Sequence, residues 1–209
     1  MKIERLSMLL LVAALAVVLF NSFQISQMKG SSSITGAAVI KVSEQDVIPK
    51  GVPKIYGSEL GVSFDDISSL NQQLADATIN KLGALDRSIE LRGGQLQRYI
   101  AIASKISCEY CCGAASIIFS NGQAACGCAH SYAMRGVAKY LIENHGDEYS
   151  DDEVLEELGK WKTLFFPSQL SQKAEVLSEN GIELNYINLA SNKYRGIEQG
   201  AGGGMVGGC

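Results

Sequence analysis

The stretch CEYCCGAASIIFSNGQAACGCAHS, residues 108–131, holds five of the chain's six cysteines and one of its two histidines. Its spacing reads C-x-x-C-C, then C-x-C-x-H. Thiolate and imidazole are the ligand set of soft and borderline metals. The same thiols can form disulfides or exchange electrons, and the spacing leaves these three chemistries open. Clustering argues against a secreted disulfide scaffold, whose cysteines spread out to staple distant loops. Adjacent cysteines bridge to each other only with strain, so Cys111 and Cys112 each call for another partner. The candidate metal ligands are Cys108, Cys111, Cys112, Cys126, Cys128 and His130. Zinc or copper(I) suits them, and an iron–sulfur cluster is a further option.

Within this stretch residues 116–119 are β-branched and apolar, and Asn121-Gly122 is a two-residue hairpin signal. With those two as the loop, Ser120 pairs with Gln123, Ile117 with Cys126 and Ala115 with Cys128. Period-2 alternation then sets Cys126, Cys128 and His130 on one face. Ser131 is expected to cap a helix over 132–144.

Outward from the cluster the pattern is helical. Residues 65–91 carry Ile67, Leu70, Leu74, Ala77 and Leu82 as an apolar stripe. Gly93-Gly94 breaks it, and a second helix is expected over 95–106. Ser150 and Glu153 form a capping box. It opens a helix with Val154, Leu155, Leu158, Trp161 and Phe165 on its core side, ended by Pro167. A further helix over 168–180 has Gly181 at its C-terminal cap. The alternation of Ile182, Leu184 and Tyr186 predicts a last strand. The fold class expected is α+β, mainly helical: about five helices and a short β-hairpin carrying the cysteine cluster, after one N-terminal transmembrane helix.

That first helix rests on residues 6–27, which carry no charge and follow Lys2 and Arg5. The stretch is long enough to cross a bilayer with its ends in the interface. The basic residues before it place residues 1–5 in the cytoplasm and the rest outside. A cleaved secretory signal is the alternative, and it also places the rest outside. Residues 28–64 read as an extended linker, 65–195 as the cysteine-cluster domain and 196–209 as a flexible Gly-rich tail. The tail ends in Cys209, a possible accessory ligand.

The net charge of −4 gives no basic stripe and argues against nucleic-acid binding. The chain lacks H-E-x-x-H, G-x-S-x-G and a phosphate loop, so an enzyme is the less favoured reading. His145 reads as a surface residue stabilising a helix C-terminus. Glu109 and Arg135 read as solvated charges flanking the cluster.

The segments Cys-Glu-Tyr-Cys-Cys-Gly, Ala-Cys-Gly-Cys-Ala-His-Ser and Trp161-Lys162…Phe165-Phe166-Pro167 resemble those of short membrane-anchored proteins of archaeal genomes that carry a CxxCC…CxCxH cluster. The resemblance implies a membrane location and a cysteine cluster, with no activity attached. The expected function is that of a membrane-anchored extracytoplasmic protein binding a thiophilic metal, as carrier or sensor. Its expected partner is a metal donor or acceptor protein. The alternatives are a thiol–disulfide oxidoreductase and a disulfide-stabilised interaction module.

Overall fold

A computed structural model describes residues 42–198 and 205–207. The expected cytoplasmic tail and transmembrane anchor, the first part of the linker and Cys209 lie outside the described residues. Among the described residues, no helix is long and apolar enough to cross a membrane.

The described chain is mainly helical. Its helices are α1 (Glu44–Val47), α2 (Tyr56–Leu60), α3 (Gln72–Ser88), α4 (Gly93–Ala103), α5 (Ala129–Asn144), α6 (Asp151–Phe165), α7 (Pro167–Glu179) and α8 (Tyr186–Ala190). The 3₁₀ turns Phe64–Asp66 and Asn192–Tyr194 join them. No strand occurs among the described residues, so the α+β expectation gives way to a helical domain.

Capping chemistry sets where the helices begin. Asn71 Oδ1 accepts from Leu74 N at 3.2 Å, so α3 starts at Gln72 and not at the expected Asp65. A Ser63–Asp66 capping box holds residues 64–66 in their own turn. The buried stripe of α3 is therefore Ala75, Ile79, Leu82 and Asp86, while Leu70, Leu74 and Ala77 are exposed. The Ser150–Glu153 box opens α6 as expected, with Glu153 N 3.3 Å from Ser150 Oγ. Pro167 occupies the first turn of α7, where its missing N–H costs nothing.

α6 is the central helix. Residues around its whole circumference are buried, including Leu158, Trp161, Lys162, Leu164 and Phe165. The 42–64 segment packs against it. Trp161 Nε1 donates to Tyr56 Oη at 2.8 Å, Tyr56 donates to Glu157 Oε2 at 2.7 Å, and Phe64 meets the Trp161 ring edge-on at 5.1 Å. A smaller apolar cluster joins Val42, Val47, Leu170, Leu177 and Leu189.

The expected hairpin is not formed. A turn does close at Asn121-Gly122, but Gly122 N donates to Phe119 O at 2.9 Å with Gly122 at φ +83°. That geometry has a three-residue loop with its glycine left-handed. The single bridge pairs Ile118 with Ala124, one residue out of the expected register. The ladder stops there because Ile117 N donates to Ile106 O, at 3.0 Å, instead of across the turn. Ile182, Leu184 and Tyr186 form no strand either; Asn185 Oδ1 accepts from Asn188 N at 2.8 Å and starts α8.

α3 and α5 pack at backbone contact. A Cβ placed on Gly136 would lie 2.0 Å from Leu82 O, and one on Gly83 would lie 3.2 Å from Tyr132 Cβ. Gly136→Ala tests this approach. Alanine gains about 1 kcal/mol in helix propensity, but the methyl group has no flexible neighbour to displace. Overpacking wins, and a net loss of about 2 kcal/mol is expected. Thermal unfolding should show a lowered Tm; an unchanged or raised Tm would mean that the helices are not in backbone contact.

His145 is not the surface residue expected. It is 8% exposed, and its Nδ1 and Nε2 lie 2.8 Å from Glu148 Oε1 and Glu59 Oε2. Burial disfavours the charged ring, but the two carboxylates outweigh it and raise its pKa above the ordinary value. A raised folded-state pKa gives stability that is fully present below the unfolded pKa of about 6.5 and lost as pH rises through the folded value. Tm should therefore fall from pH 6 to pH 9, and His145→Gln should flatten that fall. An equal fall in both proteins would exclude His145 as the source.

Candidate metal and thiol centre

Residues 104–128 join α4 to α5 without regular structure, well past the roughly 12–15 residues usual for a compact connection. The carbonyl groups of such a loop still need donors wherever it packs against the core. Three side chains supply them. Arg135 Nη1 donates to Ile117 O at 3.2 Å and Cys126 O at 2.9 Å. Asn192 Nδ2 donates to Ser104 O at 3.3 Å and Ala115 O at 2.9 Å. Arg195 donates to Ala114 O and Gly113 O, both at 2.9 Å. Composition and periodicity carry no trace of these roles, because each is a contact between segments far apart in the chain.

Arg135 is only 1% exposed, contrary to its reading as a solvated charge. Its Nε donates to Asp86 Oδ2 at 2.8 Å, and its guanidinium lies 4.4 Å from the centre of the Tyr132 ring. Glu109 is likewise drawn inward, at φ +57°. Its carboxylate accepts from Lys162 Nζ at 2.8 Å and from Gly196 N at 2.8 Å, with Lys173 Nζ at 3.6 Å. Burial opposes the charged carboxylate, but the two lysines prevail and lower its pKa. Burial of Lys162 pulls its pKa down to about 8 despite that partner.

Cys128, not Ser131, caps α5, and His130 lies in the first turn of that helix and not on a strand. The Cys128 sulfur accepts from Ser131 N at 3.4 Å. It lies 3.3 Å from Cys108 Sγ and 3.4 Å from Cys126 Sγ. His130 is fully buried, its ring 4.7 Å from that of Phe165 and 5.1 Å from that of Phe166. Its Nε2 lies 2.8 Å from Val206 O. A carbonyl only accepts, so Nε2 donates to it, and the ring is also hydrogen-bonded to the Cys128 sulfur. Val206 and Gly207 belong to the expected flexible tail, yet both are buried here. A Cβ at Gly207 would lie 2.2 Å from Ile79 Cδ1, and φ there is +87°. Only glycine fits at that position.

The ligand atoms of Cys108, Cys128 and His130 all fall within 4.8 Å of one another, so this group can hold a metal ion. Hydrogen bonds with Cys108, then with His130 and Ser131, lower the pKa of Cys128. Its contact with Cys128, together with burial, raises that of Cys108, which keeps its proton. Burial, followed by the Cys112 contact, pushes Cys126 up to about 11.

The other expected ligands are arranged differently. Cys126 is buried against Cys128 but falls outside the three-atom group. Cys111 is half-buried and packs at the edge of the core. Cys112 is exposed, with its sulfur 2.6 Å from Cys126 Sγ. Two thiolates on one zinc ion sit about 3.8 Å apart, from Zn–S bonds of about 2.3 Å at tetrahedral angles. The Cys108–Cys128 and Cys126–Cys128 spacings are a few tenths short of that. The Cys112–Cys126 spacing is far too short for two ligands of one ion.

No model of a known protein family matches the chain, and neither a curated protein nor a solved structure matches it.

Arg135→Met keeps the side-chain volume and removes the clamp. Asp86 then faces Lys139 alone, and the Ile117 and Cys126 carbonyls lose a buried donor. Breaking a buried pair costs about 3–5 kcal/mol, and denaturant unfolding should show a loss in that range. Lys139→Met, at a more exposed pair to the same carboxylate, should cost less. A loss below about 1 kcal/mol for Arg135→Met would mean that the loop is held by other contacts.

Proposed function

We propose that the chain binds a thiophilic metal ion, zinc or copper(I), through Cys108, Cys128 and His130, with Cys126 as the available fourth donor. The observation that carries this reading is the convergence of two sulfurs and an imidazole nitrogen within 4.8 Å of one another, on a buried loop end and a helix start. Sulfur with nitrogen suits zinc in a tetrahedral site and copper(I) in a sulfur-rich one. The Val206 carbonyl on Nε2 is the kind of partner that fixes the orientation of a metal-binding histidine.

The role is that of a carrier or sensor in a membrane-anchored protein, with the metal-binding domain outside the cytoplasm and a metal donor or acceptor protein as partner. What supports this is the uncharged 6–27 stretch preceded by Lys2 and Arg5. Partial exposure of Cys128 supports exchange of the ion over permanent burial.

The test is titration of the reduced, metal-stripped full chain with zinc against a chromophoric chelator, and with cobalt(II) as an optical probe. One equivalent should bind, with thiolate-to-cobalt charge-transfer bands. Cys128→Ser and His130→Ala should each weaken binding by about a hundredfold or more. Binding should tighten as pH rises, because Cys108 and Cys126 must lose their protons to ligate. Absence of bound ion with all thiols free, or unchanged affinity in His130→Ala, would overturn the proposal.

A further inference from the structure

The sulfurs form a chain from surface to core: Cys112 is exposed, and Cys126, Cys128 and Cys108 follow at 2.6, 3.4 and 3.3 Å. The inner members belong to the metal group. The outer contact does not fit a shared ion, as its spacing shows. It lies closer to a sulfur–sulfur bond, about 2.05 Å long, than to two ligands of one metal.

Both cysteines of the outer pair are held by their neighbours' backbone. Arg195 donates to the carbonyl of Gly113, next to Cys112, and Arg135 donates to the carbonyl of Cys126 itself. Two guanidinium groups on different elements thus anchor the backbone that carries the two sulfurs. One sulfur is open to solvent and the other is 4% exposed. That is the arrangement of an entry thiol and a resolving thiol: an external disulfide can reach only the first.

We propose that Cys112 and Cys126 are a second site, a redox-active dithiol that exchanges with external protein or small-molecule disulfides, with Cys112 as the entry sulfur. The Cys112 thiolate attacks one sulfur of the external disulfide, breaks its S–S bond and expels one thiolate, which takes up the proton that Cys112 released. Cys126 then loses its proton and attacks the Cys112 sulfur of this mixed disulfide. The second external thiolate leaves with that proton. In balance, two protein thiols become one disulfide and one external disulfide becomes two thiols. The reverse sequence reduces the pair. The pair shares Cys126 with the metal site, so forming the disulfide withdraws the fourth donor and leaves Cys108, Cys128 and His130.

The test uses the reduced full chain carrying Cys209→Ser, with a metal chelator present throughout. The protein is equilibrated in oxidised and reduced glutathione over a range of ratios, quenched with an alkylating agent and mapped by mass spectrometry. A reversible disulfide joining Cys112 to Cys126 should appear as the ratio becomes oxidising. Cys126→Ser should instead accumulate glutathione on Cys112, and Cys112→Ser should slow glutathione reaction at Cys126 by tenfold or more. Far-ultraviolet circular dichroism confirms that each variant is folded. A reversible bond mapped to another pair, such as Cys108–Cys128, would overturn the proposal. So would a Cys112 that stays glutathionylated in the presence of Cys126. Because no metal is present, these outcomes are distinct from failure of the metal titration.

Discussion

The site depends on one buried cation. Arg135 projects from α5 into the space between α3 and the cysteine loop, and its nitrogens bind the Asp86 carboxylate and the carbonyls of Ile117 and Cys126. Desolvating a guanidinium is costly, and an ion pair alone seldom repays it in the interior. What this pair supplies is position. Asp86 reaches Arg135 only because glycine at 83 and 136 lets α3 and α5 touch at the backbone. The same guanidinium then ties both arms of the loop to that helix pair. Without it, the Cys126 carbonyl would lose its buried donor and the Ile117 carbonyl would keep only Ala125 N.

A second charged network lies on the other side of the cluster. Glu109 directly follows Cys108 and turns its carboxylate onto Lys162 and Lys173, with Glu198 near the second lysine. The positive φ at Glu109 is an unfavourable backbone state for a residue with a side chain. It persists because Lys162 would otherwise lack a counter-charge. The loop is thus tied to two ion networks, and its sulfurs differ in surroundings through position alone. Cys128 sits at a helix start, where hydrogen bonds lower its pKa, while the contact with Cys128 at 3.3 Å and burial raise that of Cys108. Cys112 at the surface is open to reagents that the others are not.

The return of the chain at residues 205–207 completes the metal group from behind. Val206 is anchored by its N–H to Phe165 O at 2.9 Å, and its own carbonyl sets the His130 tautomer. The histidine is thereby fixed by a segment 76 residues away in sequence. Ring orientation, rather than the identity of the histidine, is what turns a core imidazole into a potential ligand.

The amino-acid sequence by itself determined the five long helices, because each has a local origin. The Ser150–Glu153 box starts α6, Pro167 and Gly181 bound α7, and apolar residues recur at helical spacing in every one of them. It also marked where the site lies, since five thiols and an imidazole fall within residues 108–130. Tertiary structure decided the rest. Asn121-Gly122 favours a hairpin, but Ile117 satisfies its N–H on Ile106 and the ladder ends after one bridge. Arg135 and Glu109 look like surface charges until helix packing buries their partners beside them. Cys112 and Cys128 are the same residue type in the sequence; one becomes an exposed thiol and the other caps a helix with its sulfur. Local signals fix local elements, because their interactions span a few residues. Which sulfur, nitrogen or charge meets which is set by contacts across tens of residues, and only the packed chain contains them.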